Sequence, residues 1–167
     1  MNTFEQCVRF ILEEEGGLVN HPGDPGGLTR FGISQRAYPT VDIRSITEDD
    51  AKAFYRRDYW NPIHGDELPA GLDLLMLDTA INMGAETAVR LLQEALNVRV
   101  DGMIGGMTIN GARQQMPGIM GRFCALRAWR YEINRNEETF GKVWFRRLFK
   151  AYDAAWALYD DIRGNPS

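Results

Sequence analysis

The 167-residue chain carries 19 Lys and Arg against 23 Asp and Glu, a net charge of −4, with 44% hydrophobic and 11% aromatic residues. That length buries a real core as one domain, or one with a small appended lobe, and the composition excludes a disordered chain. The acidic balance argues against a dedicated nucleic-acid binder, which needs a basic face for phosphates.

Thr3 followed by Gln6 is a capping-box signature, and Phe4, Cys7, Val8, Ile11 and Leu12 recur at helical spacing. A first helix is expected there, stopped by Gly16-Gly17. The opening residues show no basic run followed by an apolar one, so no secretory signal is expected and synthesis is expected in the cytoplasm. Residues 16–35 hold Gly16, Gly17, Pro22, Gly23, Pro25, Gly26, Gly27 and Gly32, which favours tight turns or a short hairpin. Asn20, His21, Asp24, Thr29 and Arg30 alternate with those glycines, as polar residues do in functional loops.

The rest reads as helix. Thr47-Glu48-Asp49-Asp50 opens a segment to Trp60, halted by Asn61-Pro62. Pro69 starts the next, with Leu72, Leu75, Met76, Thr79 and Met83 on one side; at twelve residues with Asp73 and Asp78 inside, 72–83 is far short of a membrane span, and no membrane insertion is expected. Helices are also expected at Ala85 to Leu96, at Thr108 to Gln115 after a turn region, and at about Ile119 to Ile133. In the last helix Phe145, Leu148, Phe149, Tyr152, Trp156 and Tyr159 repeat every three or four residues, a stripe expected to form core. The expected class is all-α, α+β at most. Cys7 and Cys124 sit in apolar helical patterns and are expected as buried free thiols, too few for a disulfide framework or zinc cage.

Three glutamates end the first helix, and at 100° per residue they diverge. Glu15 continues the buried stripe, Glu14 lies near its edge and Glu13 opposite. Burial and the negative end of the helix both oppose a charge on Glu15, and a carboxylic acid that keeps its proton can donate it near neutral pH. The alternative is a solvated or Arg-paired glutamate in an acidic run.

From Glu15-Gly16-Gly17 through Asn20, Pro22, Asp24 and Gly26-Gly27-Leu28-Thr29-Arg30-Phe31-Gly32-Ile33, the chain resembles the front of the glycoside hydrolase family 108 muramidases, the phage endolysin and secretion activator group. Leu18 stands where an aromatic often follows the glycine pair. Asn82-Met83-Gly84 with Leu91-Leu92-Gln93, and the turn Asp101-Gly102-Met103-Ile104-Gly105-Gly106-Met107-Thr108, resemble the second half of these proteins, Gly106 replacing a frequent proline. Phe140, Trp144 and Arg147 resemble their final helix start.

The resemblance implies a lysozyme-like helical fold, with a catalytic region over 1–80 and a helical peptidoglycan-binding region over 81–167. It implies hydrolysis of the β-1,4 bond between N-acetylmuramic acid and N-acetylglucosamine, with Glu15 as general acid and Asp24 and Thr29 echoing the Glu…Asp…Thr set of phage lysozymes. Such cleavage needs a proton for the leaving oxygen and an anion or activated water beside the oxocarbenium-like centre. Asp24 in a polar loop suits the second role, Thr29 a supporting hydrogen bond; an Asx turn and a strand filler are their plainer readings.

Asn20, Arg30, Tyr55, Trp60, Asp78 and Asn82 are the candidate sugar contacts, and Asp78 and Asn82 share a helix face. Core packing or capping accounts for Tyr55, Trp60, Asp78 and Asn82 as well, and Arg30 could instead neutralise Asp24. His21 and His64 are too few for a metal or triad, and the loop lacks the acidic density of a calcium site, so no cofactor or metal is expected. The expected partner is the peptidoglycan glycan strand, reached through a holin or another export route. Competing readings are a non-catalytic peptidoglycan-binding or secretion accessory module docking through 82–115, and a helical adaptor.

Overall fold

The first half is built around short, well-punctuated elements. The computed structural model describes residues 3–15, 28–133 and 137–164, with backbone alone over 137–141. Helix α1, Thr3–Glu15, buries Phe4, Cys7, Val8 and Ile11 on the face its spacing predicts. Strands β1, Thr29–Arg30, and β2, Ile33–Ser34, pair antiparallel with Thr29 opposite Ser34 and Arg30 opposite Ile33. Helix α2, Glu48–Tyr55, starts on a closed capping box: the Asp50 amide donates to the Thr47 hydroxyl, and the Thr47 amide donates to Asp50 Oδ2 at 2.8 Å. A π turn, Arg56–Trp60, continues it.

The chain divides into two compact units, Met1–Asp58 and Tyr59–Ser167. The second contains α3, Leu72–Met83, α4, Ala85–Leu96, α5, Gly106–Gln114, α6, Gly118–Glu132, and α7, Glu137–Gly164. Every residue from Leu72 to Ala80 is buried, Asp73, Asp78 and Thr79 among them, as befits a central helix, and α3 packs against α4, α6 and α7. Its start needs Gly71: φ is +85°, and a Cβ there would stand 2.5 Å from the Ala155 carbonyl oxygen. The position 80/81 read from the sequence as a boundary falls inside α3.

Helix α7 departs from its expected core stripe. Its buried face is Leu148, Ala151, Ala155 and Leu158, whereas Phe149 is 64% exposed and Phe145, Tyr152, Trp156 and Tyr159 are half-buried. The physical reason is close approach. Small side chains let α7 come within reach of the Gly71 backbone, and the rings flank that seam, stacking edge to face at 6.3 Å for Tyr152 with Trp156 and 5.8 Å for Trp156 with Tyr159. Both cysteines are free; Cys7 is buried and Cys124 half-buried, and burial pushes the Cys124 thiol up to about 12.

The turn after α4 is organised by one buried side chain. Gln93 Oε1 accepts from the amides of Asp101 and Gly102, while Nε2 donates to Asp101 Oδ1 and the Met103 carbonyl. The mostly α class with one hairpin is the one expected from the sequence.

Candidate active site

The hairpin turns through two residues, Phe31 and Gly32, with φ of +53° and +75°. Positive φ at both central positions is the sign of a type I′ turn, whose twist suits paired strands. Glycine takes that conformation freely; phenylalanine does not. Two contacts hold it there. The Tyr55 hydroxyl donates to the Phe31 carbonyl at 2.8 Å, and the Arg30 guanidinium lies 5.2 Å from the Phe31 ring centroid while donating to the Arg44 carbonyl.

Glu15, the last residue of α1, leans on this turn. A Cβ added at Gly32 would fall on the Tyr55 hydroxyl and stand 2.8 Å from Glu15 Cγ and 3.1 Å from its Cβ. Glu15 and Glu14 are half-buried and Glu13 is exposed, so the helical separation of Glu13 from the other two is observed. Glu15 is not sealed in the core. It sits at a helix end beside a two-residue turn, half-buried.

Thr29 and Arg30 stand half-buried on β1, Thr29 opposite Ser34, in the same unit as Glu15 and Tyr55. Asn20 and Asp24 lie outside the described residues. Tyr55 and Trp60 are corrected as sugar-facing rings: they are 1% and 0% exposed, and a buried ring offers no face to a glycan. Tyr55 serves the Phe31 carbonyl, and Trp60 Nε1 donates to Asp66 Oδ1 at 3.1 Å.

Asp78 is corrected too. It is 0% exposed and lies between two guanidiniums, Arg127 Nη1 at 2.6 Å and Arg147 Nε at 2.8 Å. Arg127 is itself fully buried, with Nε donating to the Tyr131 hydroxyl at 2.7 Å and Nη1 to Thr79 Oγ1 at 3.0 Å. Asp78 is therefore a core ion-pair centre. Asn82 is exposed and uses Nδ2 on the Asp78 carbonyl at 2.7 Å, leaving its place at a helix end open to solvent. Among the described residues no group of His, Cys, Asp and Glu is arranged to hold a metal, and no helix is long and apolar enough to cross a membrane.

In the first unit Arg57 and Tyr38 converge on Asp58. Arg57 donates to both its carboxylate oxygens, and the Tyr38 hydroxyl donates to Oδ2. The guanidinium, then the hydroxyl, hold the Asp58 carboxyl below its ordinary range.

The chain thus has a mostly helical fold in which Glu15, at the end of the first helix, meets a hairpin turn. The family model described as Glycosyl hydrolase 108 matches residues 8–84. The solved structure of Brucella abortus SagA is 34% identical, with 94% of this chain and 95% of that chain covered and a TM-score of 0.84. No curated protein matches. The chain belongs to the glycosyl hydrolase 108 family. It is a glycoside hydrolase with a glycan substrate, a peptidoglycan hydrolase of the muramidase-like kind at the level of the family.

Proposed function

We propose that the protein is an N-acetylmuramidase that cleaves the β-1,4 bond between N-acetylmuramic acid and N-acetylglucosamine, with Glu15 as the general acid. The observation that supports this is the seat of Glu15: a half-buried carboxyl at a helix end, its stem against Gly32. Glu15 protonates the leaving glycosidic oxygen. Asp24 supplies the second carboxylate beside the oxocarbenium-like centre, and Thr29 supports it or a water by hydrogen bonding. Asn20 and Arg30 contact the glycan, and the second unit, which carries the exposed Asn82, grips the wall. The site of action is the cell wall, reached through a holin or another export route.

Purified peptidoglycan tests the reading. Wild type clears a wall suspension and releases reducing muramic-acid ends, read by mass spectrometry. Glu15→Gln lowers the rate by about 10²-fold or more, the usual share of a general acid, and still pellets with the walls. Normal lysis by Glu15→Gln removes the assignment. Anhydro ends point to a lytic transglycosylase, and wall binding by an inactive wild type to an accessory module.

A further inference from the structure

We propose that Tyr55 and Gly32 are positioning residues for Glu15: the Tyr55 hydroxyl pins the Phe31–Gly32 turn, and the missing Cβ of Gly32 is the seat of the Glu15 side chain. This rests on the reading of Glu15 as the acid and adds what holds it in place.

A glutamate at a helix end is poorly suited to precise work by itself. Its side chain turns about three bonds, and terminal helical residues are the first to fray. Glu15 therefore needs a wall supplied by another element, and the hairpin turn is that wall. A Cβ at Gly32 would stand 2.8 Å from Glu15 Cγ, so that side chain would have to shift, and 3.1 Å from Glu15 Cβ, a tight contact.

The wall is itself under strain. Phe31 holds φ of +53°, which bulky residues rarely adopt, and such conformations persist only where surroundings over-determine them. Tyr55 is that determinant. Its ring is 1% exposed on α2 and has no room to swing, and its hydroxyl bonds the carbonyl of the strained residue at 2.8 Å. The same hydroxyl is the atom nearest to the point where a Gly32 Cβ would stand, with Glu15 Cγ next. Three residues from three elements thus meet at one point: the end of α1, the hairpin turn and the end of α2. Arg30, over the Phe31 ring and bonded to the Arg44 carbonyl, adds a second tether to the turn. In this role Tyr55 acts through the turn.

The test separates positioning from core packing by reading kcat, KM and Tm together. Tyr55→Phe keeps the ring and removes the hydroxyl; kcat on peptidoglycan falls about tenfold while KM stays within about twofold, since a displacement of about 1 Å at a reacting group is felt in the rate. Gly32→Ala pushes on both neighbours and lowers kcat about 100-fold together with Tm. Adding Tyr55→Phe to Gly32→Ala then recovers part of the lost Tm, because the nearest clashing atom is gone. It leaves kcat low, because Glu15 Cγ is still displaced.

Wild-type kcat in folded Tyr55→Phe overturns the inference, as do kcat and Tm that fall and recover in step across the three variants. Should Gly32→Ala not fold, Tyr55→Phe decides alone. Glu15→Gln is the control: its activity would overturn the acid assignment itself, whereas an inactive Glu15→Gln beside a fully active Tyr55→Phe overturns only the positioning role.

Discussion

Replacing Asp78 by Asn tests whether that carboxylate belongs to the core or to the sugar. The side chain keeps its size and one acceptor oxygen, but its negative charge goes and an amide NH₂ faces a guanidinium. Arg127, fully buried, and Arg147, with 17% of its side chain exposed, then share the site with no counter-charge from Asp78. Arg127 retains only the neutral Tyr131 and Thr79 hydroxyls. Removing one partner of a buried ion pair costs about 3–5 kcal/mol, mostly the penalty of a stranded charge. For a chain of this length each kcal/mol moves Tm by roughly 2–4 °C, so Asp78→Asn should melt about 6–20 °C lower. Urea unfolding followed by tryptophan fluorescence gives the loss, and KM for wall lysis is measured alongside on folded protein. A loss under about 1 kcal/mol would refute the reasoning. A raised KM with unchanged Tm would do so more sharply, returning Asp78 to the glycan.

Two further outcomes follow from titrating groups. Asp58 has its folded carboxyl held below the ordinary value of 3.8, so the stability it contributes is present above that value and is lost as pH falls through the lower folded one. The Tm gap between wild type and Asp58→Asn should be constant from about pH 5 to 7 and close in stronger acid; a gap that widens on acidification contradicts the Arg57–Asp58–Tyr38 network. The Cys124 thiol, pushed up to about 12, presents a thiolate fraction on the order of 10⁻⁴ at pH 8, and Cys7 is fully buried. Native protein should therefore resist a thiol reagent until denaturant releases two equivalents, and rapid native labelling would contradict a raised Cys124 thiol.

Helix limits were legible where punctuation was local. Ala85–Leu96 runs as its spacing predicts because Gly84 and Asn97, both at positive φ, stand at its two ends. The first helix exposes Glu13 and turns Glu14 and Glu15 inward because helical phase carries that much. What failed was anything set by distant partners. Tyr55, Trp60 and Asp78 are residue types that suit a sugar, and only tertiary burial decides that they serve the core. Asp78 is joined to Arg127 at a separation of 49 residues and to Arg147 at 69. One sign was available: Arg127 is in phase with Phe123 and Tyr131 on the buried face of α6, where an arginine requires a counter-charge. On α7 the spacing was right but the face was offset: of the expected stripe Leu148 is buried, while alanines rather than rings close the seam, and periodicity alone does not say whether small or large side chains turn inward. The Glu15–Gly32–Tyr55 meeting needed three elements in place before it could be seen.

The carboxamide of Gln93 spends both donor hydrogens and both acceptor lone pairs on the segment from Asp101 to Met103. Asparagine carries the same quartet one methylene shorter and falls short of the turn, glutamate lacks the hydrogens, and histidine has too few sites. That stretch of surface is in effect indexed to one residue of α4, like a gear tooth in its slot. Single-residue insertions or deletions between Val98 and Asp101, commonly harmless in exposed loops, would here throw four bonds out of register at once.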